Sequence, residues 1–537
     1  MSELLHDLLL RPGHGLSGRE ALRPAGEGVP LRYGELADAV ERTAAALLEQ
    51  GLEPNDRVAV YLEKRPEAVI ALFAAAAAGG IAVPINPVLK PLQVAHILRD
   101  ADARILITSG ARGACLEHEL ARCPALEHTW WADNQSPARA PSPGIAQHAW
   151  RERPRGCSAP LPRRIEHDAA MLLYTSGSTG MPRGVILTHR NLISGASSVA
   201  GYLGNTCEDR ILAALPLSFD YGFHQLTTAF LAGAEAVLHD YLLPQDVPRR
   251  VAEHRITGIA AVPAMWFDLA RLSWPEAARS SVRYLTSSGG ALPCAVQDAL
   301  RRALPGAALY RMYGLTEAFR STYLPPEELD RRPESIGRAI PNAEIQVVRP
   351  DGTPCEAFEP GELVHRGPQV ALGYWRAPAA TAERFRPAPN QPDAMPLAER
   401  AVWSGDTVYA DEEGFLYFVG RADELIKTSG YRVSPQEVEA AVVEIEGVEE
   451  CVAAGIPDPR LGATVGVVVA AAAASGVEPA TLQRACRARL PSFMVPETIL
   501  VQHAPLPRSA NGKLDRAALR ERLQRSTGAP SDDPARR

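Results

Sequence analysis

Helix-like and strand-like segments alternate along residues 30–340, and this order constrains the fold more than any other feature of the sequence. Residues 31–52 have helical spacing of apolar positions and are followed by a short apolar strand at 56–62. A second helical segment at 66–80 precedes a second strand at 81–85. This alternation predicts an α/β fold whose sheets are largely parallel.

The chain has 537 residues, which is too long for a single hydrophobic core. From about residue 340 the pattern becomes strand-rich, which indicates a small β subdomain. We predict an N-terminal domain over residues 1–420 that contains layered α/β sheets and a β-barrel-like subdomain. A small, mobile α+β domain is predicted over residues 421–525, followed by a disordered tail over 526–537.

Composition and charge exclude several classes of protein. The formal net charge of −7 argues against a nucleic-acid partner held through phosphate contacts. The N-terminal stretch carries Glu3 and Asp7 where a signal peptide would be basic, and the apolar run at 68–85 is interrupted by glycines and a proline. The eight cysteines include no C-x-x-C pair. We therefore predict a cytoplasmic protein with reduced thiols and no membrane span; the sequence does not indicate an oligomeric state.

Residues 174–185 read YTSGSTGMPRGV, a run of hydroxyl residues and glycines that ends in Arg183. Glycine permits close backbone approach, and serine and threonine add donors, so such a loop can surround a phosphate group. The loop matches neither the Walker A pattern nor the dinucleotide-binding fingerprint. On its own it is better interpreted as an exposed linker.

Three further stretches change that interpretation. They lie at 311–324, 403–432 and 507–519 and read RMYGLTEAFRSTYL, WSGDTVYADEEGFLYFVGRADELIKTSGYR and PRSANGKLDRAAL. In this order, and together with the loop, they resemble the adenylate-forming enzyme superfamily, which includes acyl-CoA synthetases, adenylation domains of nonribosomal peptide synthetases, and luciferases. The resemblance extends over about residues 15–522.

The resemblance implies how a nucleotide is bound. Residues 289–291 would line one face of the adenine, and Tyr313 would stack on the other. Asp406 would bind the ribose hydroxyls, with Arg421 beside it. The residues implied in nucleotide binding are Thr175, Ser176, Gly177, Ser178, Thr179, Gly180, Gly289, Gly290, Ala291, Tyr313, Gly314, Thr316, Asp406, Arg421 and Lys513.

The resemblance also implies four catalytic groups. Lys513 would bridge the substrate carboxylate and the α-phosphate, where charge develops as pyrophosphate leaves. Thr316 would hydrogen-bond to phosphate, and Arg183 would be the charged end of the phosphate loop. Glu317 would be the metal ligand, because Mg²⁺ is a hard cation that prefers carboxylate and phosphate oxygens.

The implied reaction has two halves. In the first, a small carboxylic acid attacks the α-phosphate of MgATP, giving an acyl-adenylate and pyrophosphate. In the second, a thiol displaces AMP. The thiol would belong to CoA or to a separate phosphopantetheinyl carrier protein, because the L-G-G-x-S stretch of a carrier domain is not found after Lys513.

The C-terminal domain of such enzymes rotates between the two halves. Asp423 occupies the position of the hinge, and a short polar side chain there tolerates a change of backbone angles. Lys513 would leave the site, and the stretch from Lys427 to Gly430 would enter it to line the thiol tunnel.

Three positions depart from the usual pattern of the superfamily. Arg183 stands where lysine is usual, which keeps the charge but changes the geometry. Arg311 occupies a position where members often accept a hydrogen bond from the adenine amino group, and arginine cannot accept one. Thr407 replaces a usual leucine, which we expect to be harmless.

Residues 215–234 are the stretch that indicates which class of carboxylic acid is the substrate. Phe219 and Asp220 resemble the pair with which amino-acid-activating domains meet a substrate ammonium group. A buried, unpaired aspartate is costly, so Asp220 in a pocket indicates a cationic or hydroxyl-bearing substrate; the equal alternative is that Asp220 caps or pairs elsewhere. The candidate pocket residues are Phe219, Asp220, Phe223, His224, Trp266, Ser288 and Arg320.

The stretches LPLSFDYG and RMYGLTEAFRSTYLPPEE most resemble a bacterial subfamily labelled acyl-CoA ligase (AMP-forming), exosortase A system-associated, and stand-alone ligases that load an amino acid onto a carrier protein. We therefore predict an acid–thiol ligase of the acyl-CoA synthetase type, or an amino-acid ligase acting on a separate carrier. A luciferase-like oxidase and a non-catalytic nucleotide binder are the less favoured alternatives.

Overall fold

The structure is a computed structural model, which describes residues 3–11, 13, 15–133, 144–153, 160–175, 182–392, 394–421, 425–471, 476–507 and 514–527. Its strands are β1 (Glu20–Arg23), β2 (Leu31–Arg32), β3 (Arg57–Tyr61), β4 (Ile81–Pro84), β5 (Ala103–Thr108), β6 (His128–Trp131), β7 (Ala146–Ala149), β8 (Ala169–Thr175), β9 (Arg183–Thr188), β10 (Arg210–Ala213), β11 (Glu235–Leu238), β12 (Gly258–Ala261), β13 (Tyr284–Ser287), β14 (Ala308–Tyr313), β15 (Thr322–Leu324), β16 (Arg338–Ala339), β17 (Glu344–Val348), β18 (Gly361–Arg366), β19 (Gly373–Tyr374), β20 (Phe385–Pro387), β21 (Arg400–Ala410), β22 (Leu416–Arg421), β23 (Ile426–Thr428), β24 (Tyr431–Val433), β25 (Val448–Asp458), β26 (Gly462–Ala471) and β27 (Thr498–Gln502).

The α-helices are α1 (Asp7–Leu10), α2 (Tyr33–Glu49), α3 (Pro66–Ala77), α4 (Pro91–Asp100), α5 (Gly110–Ala114), α6 (Glu117–Leu120), α7 (His189–Leu203), α8 (Asp220–Ala232), α9 (Asp246–His254), α10 (Pro263–Leu269), α11 (Glu276–Ser281), α12 (Cys294–Ala303), α13 (Pro378–Arg384), α14 (Pro435–Val443), α15 (Pro479–Arg489) and α16 (Arg516–Ser526). Short 3₁₀ turns lie at Trp150–Glu152, Thr316–Ala318, Pro326–Glu328 and Ser492–Met494.

Two large sheets form the body of the protein. One has nine strands in the order β16-β15-β14-β13-β12-β10-β11-β1-β2, and the other has eight in the order β19-β9-β8-β4-β3-β5-β6-β7. The central strands of both sheets run parallel, and antiparallel strands lie at both edges of the nine-stranded sheet and at the β19 edge of the eight-stranded sheet. The predicted α/β architecture with largely parallel sheets is confirmed.

Helices α3 and α8 belong to the core that joins the two sheets. Helix α3 contacts β3 and β4 of one sheet, while α8 contacts β10 and β11 of the other. The two helices meet through Phe73, whose ring lies 5.8 Å from that of Phe223 and 5.6 Å from that of Phe230. Both helices are buried along most of their length. This packing fixes the position of the N-terminus of α8, which begins at Asp220.

The strand-rich region after residue 340 forms a five-stranded antiparallel sheet of β17, β18, β20, β21 and β22. The chain beyond it contains the hairpin β23–β24 and the three-stranded sheet β25–β27, with its own apolar core. The boundaries at residues 420 and 525 stay predictions. Of the predicted tail, residues 528–537 lie outside the described part of the chain.

Candidate active site

A cavity of about 550 Å³ lies where the carboxyl ends of parallel strands from both large sheets meet. Its walls come from the loops that follow β4, β8, β13 and β14, from the start of α8, and from segments of the C-terminal region. Crevices at the carboxyl ends of parallel strands are the usual binding places of α/β folds. The fold therefore brings most of the predicted site residues that the structure describes into one cavity.

The loop after β13 forms part of the wall predicted to face adenine. Gly289, Gly290 and Ala291 all line the cavity. Gly289 has φ of +87°, a conformation that side chains with a Cβ rarely adopt. The end of β14 contributes Tyr313 and Gly314 to the same cavity.

Tyr313 and Asp406 lie against each other. The Tyr313 hydroxyl donates a hydrogen bond to Asp406 Oδ2, and both side chains are buried. Asp406 lies on β21 and is paired in the sheet with Arg421 of β22. The backbones of these two residues are therefore adjacent. The pair is positioned to place a carboxylate beside the ring predicted to stack on the base.

Glu317 is a buried carboxylate in the 3₁₀ turn that follows β14. Its Oε1 accepts a hydrogen bond of 2.7 Å from the Tyr374 hydroxyl, and its Oε2 lies 3.7 Å from Arg432 Nη1 without a hydrogen bond. Burial raises the pKa of Glu317, but Arg432, Arg384 and the Tyr374 hydroxyl outweigh burial and hold this pKa below its ordinary value. Glu317 is therefore ionised at neutral pH.

Arg183 begins β9 directly opposite Thr175, the last residue of β8. The antiparallel pair β8–β9 thus holds the two ends of the predicted phosphate loop together. The Arg183 guanidinium carbon lies 5.8 Å from the centre of the Tyr374 ring, so Tyr374 contacts both Arg183 and Glu317. Residues 176–181 of the loop lie outside the described part of the chain.

Four of the predicted acid-pocket residues line the cavity: Phe219, Asp220, Ser288 and Arg320. Asp220 Oδ1 accepts a hydrogen bond of 2.8 Å from the backbone N–H of Tyr221, the next residue of α8. Burial raises the pKa of the Asp220 carboxyl, while Arg320 and Arg432 act in the opposite direction.

The other three predicted pocket residues, Phe223, His224 and Trp266, do not line this cavity but lie in the buried core beside it, so their part in an acid pocket stays a prediction. Phe223 packs on Phe73, and Trp266 is fully buried and donates to the Thr286 carbonyl at 3.0 Å. The His224 ring lies 4.8 Å from that of Phe319, and burial lowers its pKa well below the ordinary value. Phe223 and His224 follow Asp220 by three and four residues, so they share a face of α8 with it, but they lie one turn further along the helix, in the core beyond the cavity wall.

The C-terminal region closes one side of the cavity with Lys427, Gly430 and Arg432. Lys427 Nζ lies 4.7 Å from the centre of the Phe418 ring. Gly430 has φ of +82°, and a Cβ there would lie 2.5 Å from Val262 Cγ1. Only glycine fits this contact. Lys427 and Gly430 therefore lie at the cavity in this structure, while their predicted entry by domain rotation stays a prediction.

A second cavity of about 580 Å³ adjoins the first and shares Phe219, Gly430 and Tyr431 with it. Its lining includes exposed apolar side chains, Val88 and Leu242, of which 45% and 81% remain accessible. It therefore forms a passage from the surface to the candidate site beside Gly430.

Several groups at the site were not singled out from the sequence: Tyr221, Tyr374, Arg432 and Glu437. Arg432 follows Gly430 and Tyr431 at the end of a stretch that carries part of the resemblance, and its charge was an available signal. Tyr374 lies 57 residues after its partner Glu317, and nothing local links the two. The predicted hinge Asp423 and the predicted catalytic Lys513 lie outside the described residues.

Comparisons with known proteins identify the family of this chain. The AMP-binding enzyme family matches residues 14–375, and the C-terminal domain of AMP-binding enzymes matches residues 437–513. A feruloyl-CoA synthase of Amycolatopsis is 32% identical over 92% of this chain and 94% of its own length. A linear gramicidin synthase polypeptide of Brevibacillus parabrevis is 32% identical over 91% of this chain, which spans 6% of that protein. The structure of an o-succinylbenzoate CoA synthetase from Bacillus subtilis matches with a TM-score of 0.79 at 27% identity, covering 96% of this chain and 98% of that one.

The fold and the site thus define an adenylate-forming enzyme. The chain belongs to the AMP-binding enzyme family. It is an acid–thiol ligase that activates a carboxylic acid as an acyl-adenylate and transfers the acyl group to a thiol. Among the described helices none is long and apolar enough to cross a membrane. The exosortase association and the cytoplasmic location stay predictions.

Gly430→Ala should slow the thiol-transfer half-reaction by about 10- to 100-fold, because a methyl group there meets Val262 and the backbone conformation is strained. Acid-dependent ATP–pyrophosphate exchange should stay within about twofold of the wild type. Gly476→Ala is the matched control, since Gly476 also has a positive φ but no neighbour within 4 Å of an added Cβ. Equal thiol-transfer rates in the two variants would contradict the predicted clash of the added methyl group with Val262.

Because Glu437 of α14 contacts Gln93 of α4, we predict that the contact between the C-terminal region and the N-terminal domain depends on pH. Its Oε1 accepts a 3.0 Å hydrogen bond from Gln93 of α4, its Oε2 is buried without a partner, and burial raises its pKa from 4.5 to about 7. When Glu437 is buried against Gln93, its carboxyl binds a proton more tightly than it does when exposed to solvent. The contact between the C-terminal region and α4 therefore loses stability as pH rises from 4.5 to about 7, and its stability changes no further above that pH.

The ratio of wild-type to Glu437→Gln transfer rates, measured on pre-formed adenylate, should therefore fall over this pH range and then level off. A ratio that rises with pH would show the opposite sign and refute the assignment.

Proposed function

We propose that this ligase binds ATP in the 550 Å³ cavity, with adenine between residues 289–291 and Tyr313 and the ribose hydroxyls on Asp406. The triphosphate then extends towards Thr175 and Arg183 at the ends of the phosphate loop. The proposal is supported by the convergence of these groups on one cavity, since Thr175, Tyr313 and the loop after β13 all line it. Arg311, which also lines it, leaves its Nη1 buried without a hydrogen bond.

The state of the Glu317 carboxylate is the main support for the proposal. It is buried and ionised at neutral pH, and no described residue donates a hydrogen bond to its Oε2. Such a carboxylate fits Mg²⁺, which would neutralise negative charge on the ATP phosphates when bound there. In the present arrangement Arg432 supplies the counter-charge instead.

Three further side chains would bind the phosphates and the acid through hydrogen bonds and positive charge. Thr316 lies in the cavity wall beside Glu317, where its hydroxyl would donate to a phosphate oxygen. Arg183 would neutralise phosphate charge from the opposite side. Lys513 would bridge the acid carboxylate and the α-phosphate; this role rests on the resemblance of its sequence stretch alone.

The second cavity is proposed as the path of the thiol. Gly430 and Val262 both line it, and a Cβ added at Gly430 would meet the Val262 side chain. CoA and a carrier protein would present the same phosphopantetheine arm to this path. Rotation about Asp423 would exchange Lys513 for residues 427–432 between the two half-reactions.

The first test is ATP–pyrophosphate exchange across a panel of fatty, aryl and amino acids. Glu317→Gln and Lys513→Ala should each reduce exchange by about 100-fold or more, because each removes charge stabilisation where pyrophosphate leaves. Glu412→Gln, a change at an exposed turn residue, is the control and should leave exchange unchanged. Full exchange in Lys513→Ala would overturn the proposed role of that lysine.

A carrier protein is the acceptor favoured by one specific observation. The cations that line the second cavity are already engaged: Arg112 pairs with Glu63 at 2.7 Å, Arg460 pairs with Asp268 at 2.8 Å, and Lys64 donates to the His239 carbonyl. CoA carries three phosphate groups that would need free cations, whereas the exposed Val88 and Leu242 suit contact with a protein.

Pantetheine should therefore accept the acyl group with a kcat/KM within about threefold of that of CoA. The reason is that the nucleotide part of CoA would make few favourable contacts with the lining of the second cavity. Both thiols are compared with the same acid and saturating ATP. A preference for CoA of more than about 30-fold would show that the nucleotide is bound and that CoA is the acceptor.

A further inference from the structure

Arg320 is a buried cation in the wall of the active-site cavity. Its side chain is 2% exposed and is among the largest fully buried side chains of the described residues. Its Nη1 donates a hydrogen bond of 3.1 Å to Ser288 Oγ, and its guanidinium carbon lies 4.7 Å from the centre of the Tyr221 ring. Both contacts orient the guanidinium, but neither neutralises its charge.

Within the described part of the chain, Arg320 has no carboxylate at ion-pair distance. Its Nε is buried without a hydrogen bond, and no described group accepts from Nη2. Asp220 lines the same cavity, and the charge of Arg320 acts on its carboxyl through space, but the two side chains lie beyond ion-pair distance and Asp220 Oδ1 accepts from the backbone N–H of Tyr221. A buried charge is retained in a protein when a partner of opposite charge compensates it, because the loss of hydration is otherwise too costly.

The backbone is strained at the residue that delivers Arg320 to the cavity. Phe319 has φ of +55°, which is rare for a bulky residue and is associated with functional sites. The Phe319 ring occupies space left by Gly195 of α7, where a Cβ would lie 2.5 Å from Phe319 Cδ1. The ring also packs on His224. Tight packing around Phe319 therefore holds a strained turn that places a charged group in the cavity.

We propose that the acid substrate carries a second anionic group, such as a second carboxylate, and that Arg320 binds this group while the reacting carboxylate points towards Thr316. A guanidinium presents a planar fork of donors that matches a carboxylate, and the Nε and Nη2 donors of Arg320 have no acceptor among the described residues. An uncharged acid of the same shape leaves the buried cation unpaired and is rejected for that reason.

This inference rests on the proposed function, because it concerns the acid of the same adenylation site. It names Arg320 as the specificity-determining residue of the pocket. Substrates of the inferred class include dicarboxylic acids and amino acids with an acidic side chain; in the latter, Asp220 is available to the ammonium group at the start of α8.

The test compares matched acid pairs in ATP–pyrophosphate exchange: adipate with hexanoate, glutamate with glutamine, and aspartate with asparagine. In at least one pair the wild type should prefer the member with the second carboxylate by about tenfold or more in kcat/KM. Arg320→Gln should lower kcat/KM for that member by about 10- to 100-fold and leave its neutral partner within about threefold. Arg320→Lys should restore part of the preference.

Arg311→Gln is the matched control, because Arg311 is a second buried arginine of the same cavity on its predicted nucleotide side. It should alter the KM for ATP without changing the ratio within any acid pair. The inference is overturned if the wild type prefers the neutral members, or if Arg320→Gln lowers both members equally. The wild-type comparison keeps the test decisive even where a variant does not fold. Exchange with no acid at all would instead refute the proposed function.

Discussion

The buried carboxylate of Glu317 is the constraint on which the rest of the site depends. An ionised group at this depth must be compensated, and here Tyr374 donates to it while Arg432 of the C-terminal region supplies the charge. The N-terminal cavity and the C-terminal region are therefore joined by an electrostatic requirement as well as by packing. Any arrangement that withdraws Arg432 leaves a carboxylate that needs another cation, which is the need that a metal–nucleotide complex meets.

The fold explains why these groups meet. Parallel strands of two sheets end at the same place, so residues far apart in the chain, such as Thr175 and Tyr313, line one cavity. The pair of buried helices α3 and α8 holds the sheets together through Phe73 and Phe223, and it fixes Asp220 at the cavity wall. Specificity then depends on a few charged side chains set into a largely apolar enclosure.

The sequence predicted the architecture well, because the alternation of helices and strands depends on local patterns. Alternating periodicity indicated parallel sheets, and short motifs marked Tyr313 and Gly430, which the structure brings together in one cavity. Phe223 and His224 do not line the cavity, because its wall includes only the first residues of α8, and the sequence does not show how far along this helix the cavity extends. Tyr374 was missed because its contact with Glu317 is set by tertiary packing alone.

The most direct measurement of the central claim follows oxygen from the acid into the nucleotide. The full chain is incubated with ATP, a thiol and an acid labelled with ¹⁸O in its carboxylate, and the products are analysed by mass spectrometry. Attack of the carboxylate on the α-phosphate predicts one labelled oxygen in each AMP released. Unlabelled AMP, with the label recovered in orthophosphate or retained in the acid, would contradict formation of an acyl-adenylate.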